Sequence, residues 1–318
     1  MPLTEEVPMS TTNARKNLLP YMALLTATFL WASSFVALKL AFHAYPPMVV
    51  IFGRMAIGTL CVLCIPGLFR KNRVRKKDIK SIALMVLLEP CLYFLFEAKA
   101  IELTTASQAG MITALLPLMV SCAAFFVLKE PLGLKTLAGL GLSVFGACWL
   151  SFGGEATMDA PNPPLGNLFE LIAMVCAAGY TIILKQLTER GYTPLFLTAV
   201  QAFAGTLFYF PLVFMDSPPM PTAAAPVAMA AVIYLGSVVT LGAYGCFNYG
   251  VSRIPAGQAS AFVNLIPVFA LFMGMAVLKE RLTFEQYIAC AIVFSGLYLS
   301  QQTGETPAGT PPLSGKHQ

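Results

Sequence analysis

The sequence predicts an all-α membrane protein, with ten transmembrane helices arranged as two inverted five-helix repeats. Three observations carry that expectation. Hydrophobic residues make up 57% of the chain and charged residues 11%, with a mean hydropathy of +0.73, whereas soluble domains carry about 25% charged residues. Ten apolar runs approach the roughly 20 residues that cross a hydrocarbon core. The second half repeats the first at a constant offset of 150 residues: Gln108, Pro117, Leu128-Lys129-Glu130, Leu132 and Gly146 recur as Gln258, Pro267, Leu278-Lys279-Glu280, Leu282 and Gly296.

The candidate spans lie near 18–39, 47–69, 79–101, 104–128, 134–152, 166–185, 193–215, 226–250, 256–278 and 282–300. Each exceeds a barrel strand of about ten residues and lacks apolar/polar alternation, which selects helices. Turn-forming residues separate them: Tyr45-Pro46-Pro47, the charged run after Phe69, Gly153-Gly154 with Pro161 to Pro164, Gly191, and Asp216 to Pro219.

Orientation follows from Lys and Arg, which gather in cytoplasmic loops. The run Arg70, Lys71, Arg73, Arg75, Lys76, Lys77, Lys80 places the end of helix 2 inside. Ten spans then put both termini in the cytoplasm. Inside segments also hold Arg15, Lys16, Lys129, Lys135, Lys185, Arg190, Arg253 and Lys316, so fifteen basic residues lie inside against four outside (Lys39, Lys99, Lys279, Arg281). The basic loop is thereby read as a topology determinant and no nucleic-acid partner is expected. The predicted organisation is a cytoplasmic tail at 1–17, a first repeat at 18–152, an external linker at 153–165, a second repeat at 166–300 and a disordered cytoplasmic tail at 301–318.

Five helices per unit is an odd number, so the second copy enters the membrane from the opposite side. All eight cysteines fall inside predicted spans. Cys61-Val-Leu-Cys64 has CxxC spacing without partner ligands, and two histidines, His43 and His317, build no metal site. Neither a metal nor a cofactor is expected.

The residues resemble those of the drug/metabolite transporter superfamily, specifically its EamA-type members with two five-helix repeats. The resemblance is carried by Phe29-Leu-Trp-Ala-Ser-Ser-Phe, Phe52-Gly-Arg54, Ala106-Ser-Gln-Ala with Pro117 and Leu128-Lys-Glu-Pro-Leu, and by Ala256-Gly-Gln-Ala, Pro267 and Leu278-Lys-Glu-Arg-Leu. It covers roughly residues 18–300. It implies a transporter of small metabolites in a bacterial inner membrane, with a central cavity bounded by helices 1, 3, 4, 6, 8 and 9.

Ionisable groups inside spans cost about 2.5–3.5 kcal/mol at a helix centre and so face a cavity or a partner. Arg54, Glu89, Glu97 and Glu170 are such groups. Glu89, Tyr93 and Glu97 recur every fourth residue, one stripe of a continuous helix. Glu89 or Glu97 then takes up a proton during transport or pairs with a substrate amine; for Glu97 a structural pair with Arg54 is the alternative. Helix 8 carries a second stripe of Thr240, Tyr244 and Asn248, without charge.

Pro117 and Pro267 fall mid-helix, where proline removes a backbone hydrogen bond, and their recurrence suggests paired gating bends. Gln108, Gln258 and Asn264 either line the cavity or bond between helices. Trp31 and Tyr180 either stack on a substrate or fill the core. Lys129-Glu130 and Lys279-Glu280 read as anchors at the membrane interface, and Gly242 and Gly245 as close helix packing.

The expected function is a secondary transporter, an exporter of amino acids, amines, drugs or other small organic metabolites, working by alternating access as a monomer or homodimer in the lipid bilayer. Protons are the candidate coupling ion, beside exchange and facilitated diffusion. The sequence contains no GxxxxGK[ST] motif for direct use of ATP. A nucleotide-sugar or phosphorylated-sugar carrier is the alternative substrate class, disfavoured by the scarcity of basic residues in the spans. A membrane enzyme acting on a lipid-linked substrate would need clustered catalytic groups that the spans lack.

Overall fold

A computed structural model describes residues 11–65, 67–68, 73–128, 133–152, 156–215, 225–254 and 256–301. Arg70, Lys71, Lys129, Glu130, the Gly153-Gly154 turn, Asp216 to Pro219 and the tail beyond Gln301 lie outside the described residues.

The described chain is helical, with α1 at Thr11–Phe42, α2 at Pro47–Leu63, α3 at Lys76–Leu103, α4 at Ala106–Val127 and α5 at Leu134–Phe152. The second half supplies α6 at Pro163–Glu189, α7 at Pro194–Met215, α8 at Pro226–Arg253, α9 at 256–278 and α10 at Phe284–Gln301. Proline begins α2, α6 and α8, where its missing N–H falls among groups that no helix turn would satisfy. Among the described residues, α1, α3, α4, α6, α7 and α8 are long and apolar enough to cross a bilayer; α2, α5 and α9 are apolar but shorter.

The outer surface is apolar: Phe126, Phe214 and Tyr298 are 71%, 68% and 69% exposed. A surface of this kind is stable only against lipid. The chain is a multi-pass membrane protein.

Each half packs mainly against the other. α1 lies on α8, α3 on α6, α2 on α7, α4 on α9 and α5 on α10. The last pair crosses at glycines one repeat apart. A Cβ on Gly296 would lie 2.4 Å from Ser143 Oγ, and one on Gly146 would lie 2.9 Å from Val293 Cγ2. Ser143 Oγ donates to the Val293 carbonyl at 3.2 Å, joining two positions separated by 150 residues.

Four of the predicted helices, α3, α4, α8 and α9, are not regular α-helix throughout. At Glu89 in α3 the backbone is extended (φ −146°, ψ 118°), because Pro90 brings no N–H and disfavours a helical residue before it. The wide turn Leu87–Leu92 that results corrects the picture of Glu89, Tyr93 and Glu97 on one unbroken helical stripe. In α8 a wide turn also spans Leu235–Ala243, and in α9 another spans Gly274–Leu278. Tight 3₁₀ turns at Thr113–Leu115 and Phe262–Leu265 precede Pro117 and Pro267, so both prolines sit in the first turn of a fresh helical segment.

Candidate functional site

Buried polar side chains gather around a narrow cavity of about 30 Å³ between the halves, room for one or two waters in this conformation. α1 contributes Trp31, Ser34 and Phe35; α2, Arg54; α3, Glu89, Tyr93 and Glu97; α4, Thr113 and Leu116. From the second half come Met174, Ala177, Tyr180 and Thr181 of α6, Tyr244 and Phe247 of α8, and Val263 and Ile266 of α9.

Arg54 is 1% exposed and anchors the charged wall. Its Nη1 stands 3.7 Å from Glu97 Oε2, an ion pair without a hydrogen bond. Its Nε donates to Thr240 Oγ1 at 3.1 Å, and the guanidinium lies 4.1 Å from the centre of the Phe94 ring. Gly236 makes this contact possible. A Cβ there would lie 2.6 Å from Ile57 Cβ and 2.8 Å from the Arg54 carbonyl, so only glycine lets α8 close on α2 at this level.

Glu97 Oε1 accepts the Tyr93 hydroxyl at 2.9 Å. Glu89 lies against the Tyr244 hydroxyl, which is placed to donate to it. Trp31 packs against the Tyr244 and Phe247 rings at 5.2 and 4.8 Å between centroids, and its Nε1–H has no partner among the described residues. The cavity therefore presents open donors on Trp31 and Arg54, open acceptor capacity on Glu97, a carboxyl on Glu89, and aromatic faces between them.

A model of the EamA-like transporter family matches residues 18–152 and again 164–301. The chain belongs to the EamA-like transporter family. It is thus a transporter and not an enzyme. The chain is 25% identical to "Uncharacterized transporter YetK" of Bacillus subtilis (strain 168), over 95% of its own length and 92% of the relative's. It is 26% identical to a "Probable amino-acid metabolite efflux pump" of Escherichia coli (strain K12), over 87% and 92% of the two chains. It is also 26% identical to a "Probable terminal-alkyne amino-acid exporter" of Streptantibioticus cattleyicolor, over 81% and 85%. A solved crystal structure at 20% identity superposes with a TM-score of 0.66 over 89% of this chain and 97% of its own. That likeness is one of fold.

In this EamA-like transporter, seven of the polar or aromatic positions singled out in the sequence (Trp31, Arg54, Glu89, Tyr93, Glu97, Tyr180 and Tyr244) line one cavity. Others do not reach it. Gln108 Oε1 accepts from Asn167 Nδ2 at 2.8 Å and from Thr104 Oγ1 at 3.4 Å, which ties α4 to α6. Asn248 accepts from the Tyr180 hydroxyl and donates to Thr198 Oγ1 at 2.8 Å, tying α8 to α6 and α7. Thr240 serves Arg54 and its own wide turn, whose Leu235 carbonyl it bonds at 2.9 Å. Asn264 is partly buried, and its amide atoms have no partner among the described residues. The Gln258 side chain lies outside the described residues.

Two expectations are corrected. Gly245 faces open space among the described residues, whereas a Cβ on Gly242 would lie 3.3 Å from Leu30 Cδ1 of α1, so the expectation of close helix packing holds at Gly242 and not at Gly245. Glu280 is not an interfacial anchor: its carboxylate accepts from the Ala106 and Ser107 N–H groups at 2.9 and 3.0 Å and from Ser107 Oγ. It caps the start of α4, where free N–H groups and the helix dipole favour an anion.

Sequence reasoning also missed the cluster at the start of α3. There Asp78 accepts from Arg190 Nη1 at 2.8 Å and from the Tyr192 hydroxyl at 3.0 Å, while Arg75 Nε stands 3.4 Å away. The motif Asp-Ile after a basic run carried no signal for it. Glu170 is fully buried, its carboxylate oxygens have no partner among the described residues, and it does not line the cavity.

Proposed function

We propose that the chain exports small zwitterionic or cationic solutes, amino acids foremost, across a bacterial inner membrane by alternating access. The observation that carries this reading is the cavity's paired chemistry. Donors on Arg54 and Trp31 suit a carboxylate, the Glu89 carboxyl suits an ammonium, and the rings of Phe35, Tyr244 and Phe247 suit an apolar side chain. The printed names of the Escherichia and Streptantibioticus relatives point to the same substrate class and to export. A nucleotide-sugar or other phosphorylated substrate fits less well, because Arg54 is the one basic lining residue among the described residues and Glu97 stands against it.

The architecture we infer is ten membrane crossings in two inverted repeats, 18–152 and 166–300, with both termini cytoplasmic and 153–165 outside. The fifteen-to-four distribution of basic residues supports that orientation. The α5–α10 crossing at positions one repeat apart supports a two-fold relation between the halves. The lining residues all come from one chain, which supports a single chain as the transport unit, whether it works as a monomer or within a homodimer. Pro117 and Pro267 then act as matched bends on which the faces open in turn, and Glu89 is the group that exchanges substrate for a proton or for a second substrate molecule.

Counterflow of radiolabelled phenylalanine and arginine in proteoliposomes tests the reading. Saturable counterflow that is lost in Glu89→Gln is the expected outcome. Wild-type counterflow in Glu89→Gln, with an unchanged pH profile, would remove Glu89 from both coupling and binding.

A further inference from the structure

The break in α3 opens the carbonyls of Glu89, Pro90 and Cys91 to partners from outside the helix, and the side chains that bond them come from one face of α7, the Pro90 carbonyl accepting from the Tyr93 N–H as well. Gln201 Nε2 donates to the Glu89 carbonyl at 3.3 Å. The Tyr209 hydroxyl, fully buried, donates to the carbonyls of Pro90, at 3.2 Å, and Cys91. Between them stands Gly205, where a Cβ would lie 2.9 Å from the Pro90 ring and 2.6 Å from Met55 Sδ. Residues 201, 205 and 209 are spaced by four and so share one stripe of α7. In hydrocarbon an unsatisfied carbonyl costs several kcal/mol, so broken backbone persists only where protein groups bond it.

We propose that Gln201 and Tyr209 are positioning residues for Glu89: they hold α3 open at the turn that directs the Glu89 carboxyl into the transport cavity. The proposal rests on the reading of Glu89 as a cavity ligand, and it adds that α7, which contributes no side chain to the cavity wall, sets where that ligand stands. Gln201 also accepts from Asn248 Nδ2 at 3.4 Å, and Asn248 accepts from the Tyr180 hydroxyl. The brace is thereby connected to the α6 and α8 walls.

Dicyclohexylcarbodiimide, an apolar reagent that adds to carboxyl groups within membranes, serves as the probe. The full-length protein is treated in detergent, and the labelled fraction of the Glu89 peptide is read by mass spectrometry. Gln201→Met and Tyr209→Phe should each lower the Glu89 fraction about fivefold, roughly the factor one hydrogen bond represents. Thr206→Ala is the control: it removes a hydroxyl of the same helix that faces Thr59 at 2.9 Å and leaves the α3 break untouched, so its labelling should match wild type. If Gln201→Met does not purify as a monodisperse protein, Gln201→Asn takes its place. Unchanged Glu89 labelling in the two variants, a fall in only one of them, or an equal fall in Thr206→Ala would each overturn the brace. Counterflow by Glu89→Gln judges the underlying role of Glu89 separately, so the two can fail independently.

Discussion

The breaks in α3 and α8 occupy matching places in the two halves, and they are held by opposite chemistry. At α3 the brace from α7 is neutral, an amide and a phenol, and the break displays the Glu89 carboxyl. At α8 the brace from α2 is the charged Arg54, and the break displays the Thr240 hydroxyl. In each half the second helix supports the interrupted third helix of the other. The α3 break thus displays a carboxyl of its own, whereas the α8 turn is met by a charge that α2 brings to it. A cavity built by strict duplication would carry the same group twice; this one is lined by Arg54, Glu89 and Glu97 of the first half and, among the described residues, by no charged side chain of the second.

The comparison is broken most severely at Arg54. Arg54→Met should lower thermal stability by about 3–5 kcal/mol, because it leaves Glu97 buried beside no cation. The Arg54→Met, Glu97→Gln double variant should recover part of that loss. Equal melting temperatures for wild type and Arg54→Met in a detergent unfolding assay would show that the pair is not under electrostatic load.

A smaller loss, about 1–3 kcal/mol, is expected for Thr240→Val. It keeps the shape but removes the acceptor for Arg54 Nε and the donor to the Leu235 carbonyl. Nearly unchanged unfolding in that variant would mean the α8 turn needs no brace, and the parallel with α3 would fail. The least change belongs to Ser143→Ala at the α5–α10 crossing, remote from both breaks. Loss of its single bond to the Val293 carbonyl should cost about 0.5–1.5 kcal/mol and leave counterflow intact. A transport defect there would move the working hinge away from α3 and α8.

Much of the candidate site was legible because charge inside an apolar run is conspicuous. Arg54, Glu89 and Glu97 stand out on composition alone; the structure lines one cavity with all three and puts Arg54 beside Glu97, the pairing that the sequence left as an alternative. What misled was treating α3 as an unbroken helix. Pro90 directly follows Glu89, and that dipeptide is the signal for extended backbone before a proline; it also points to partners elsewhere for the freed carbonyls. Gln201 and Tyr209 were invisible for another reason. A glutamine or tyrosine in a span is ambiguous between lipid interface, packing and cavity until its neighbours are known. Glu280 was read as a surface anchor because its role depends on the start of α4, 174 residues away in sequence from its contact at Ala106.

The sequence by itself determined that this is a helical membrane protein, that it is internally duplicated, and which few polar side chains lie in its apolar segments. These are properties of run length, composition and spacing, which the bilayer imposes locally on each segment. Tertiary structure alone decided which face of each helix turns inward, since lipid-facing and core-facing residues are equally apolar and hydropathy does not distinguish them. It paired Arg54 with Glu97, set α7 behind the Glu89 turn and seated Glu280 on α4. The physical reason is that broken backbone and buried charge in hydrocarbon are satisfied only by groups from other helices, whose arrival is fixed by packing.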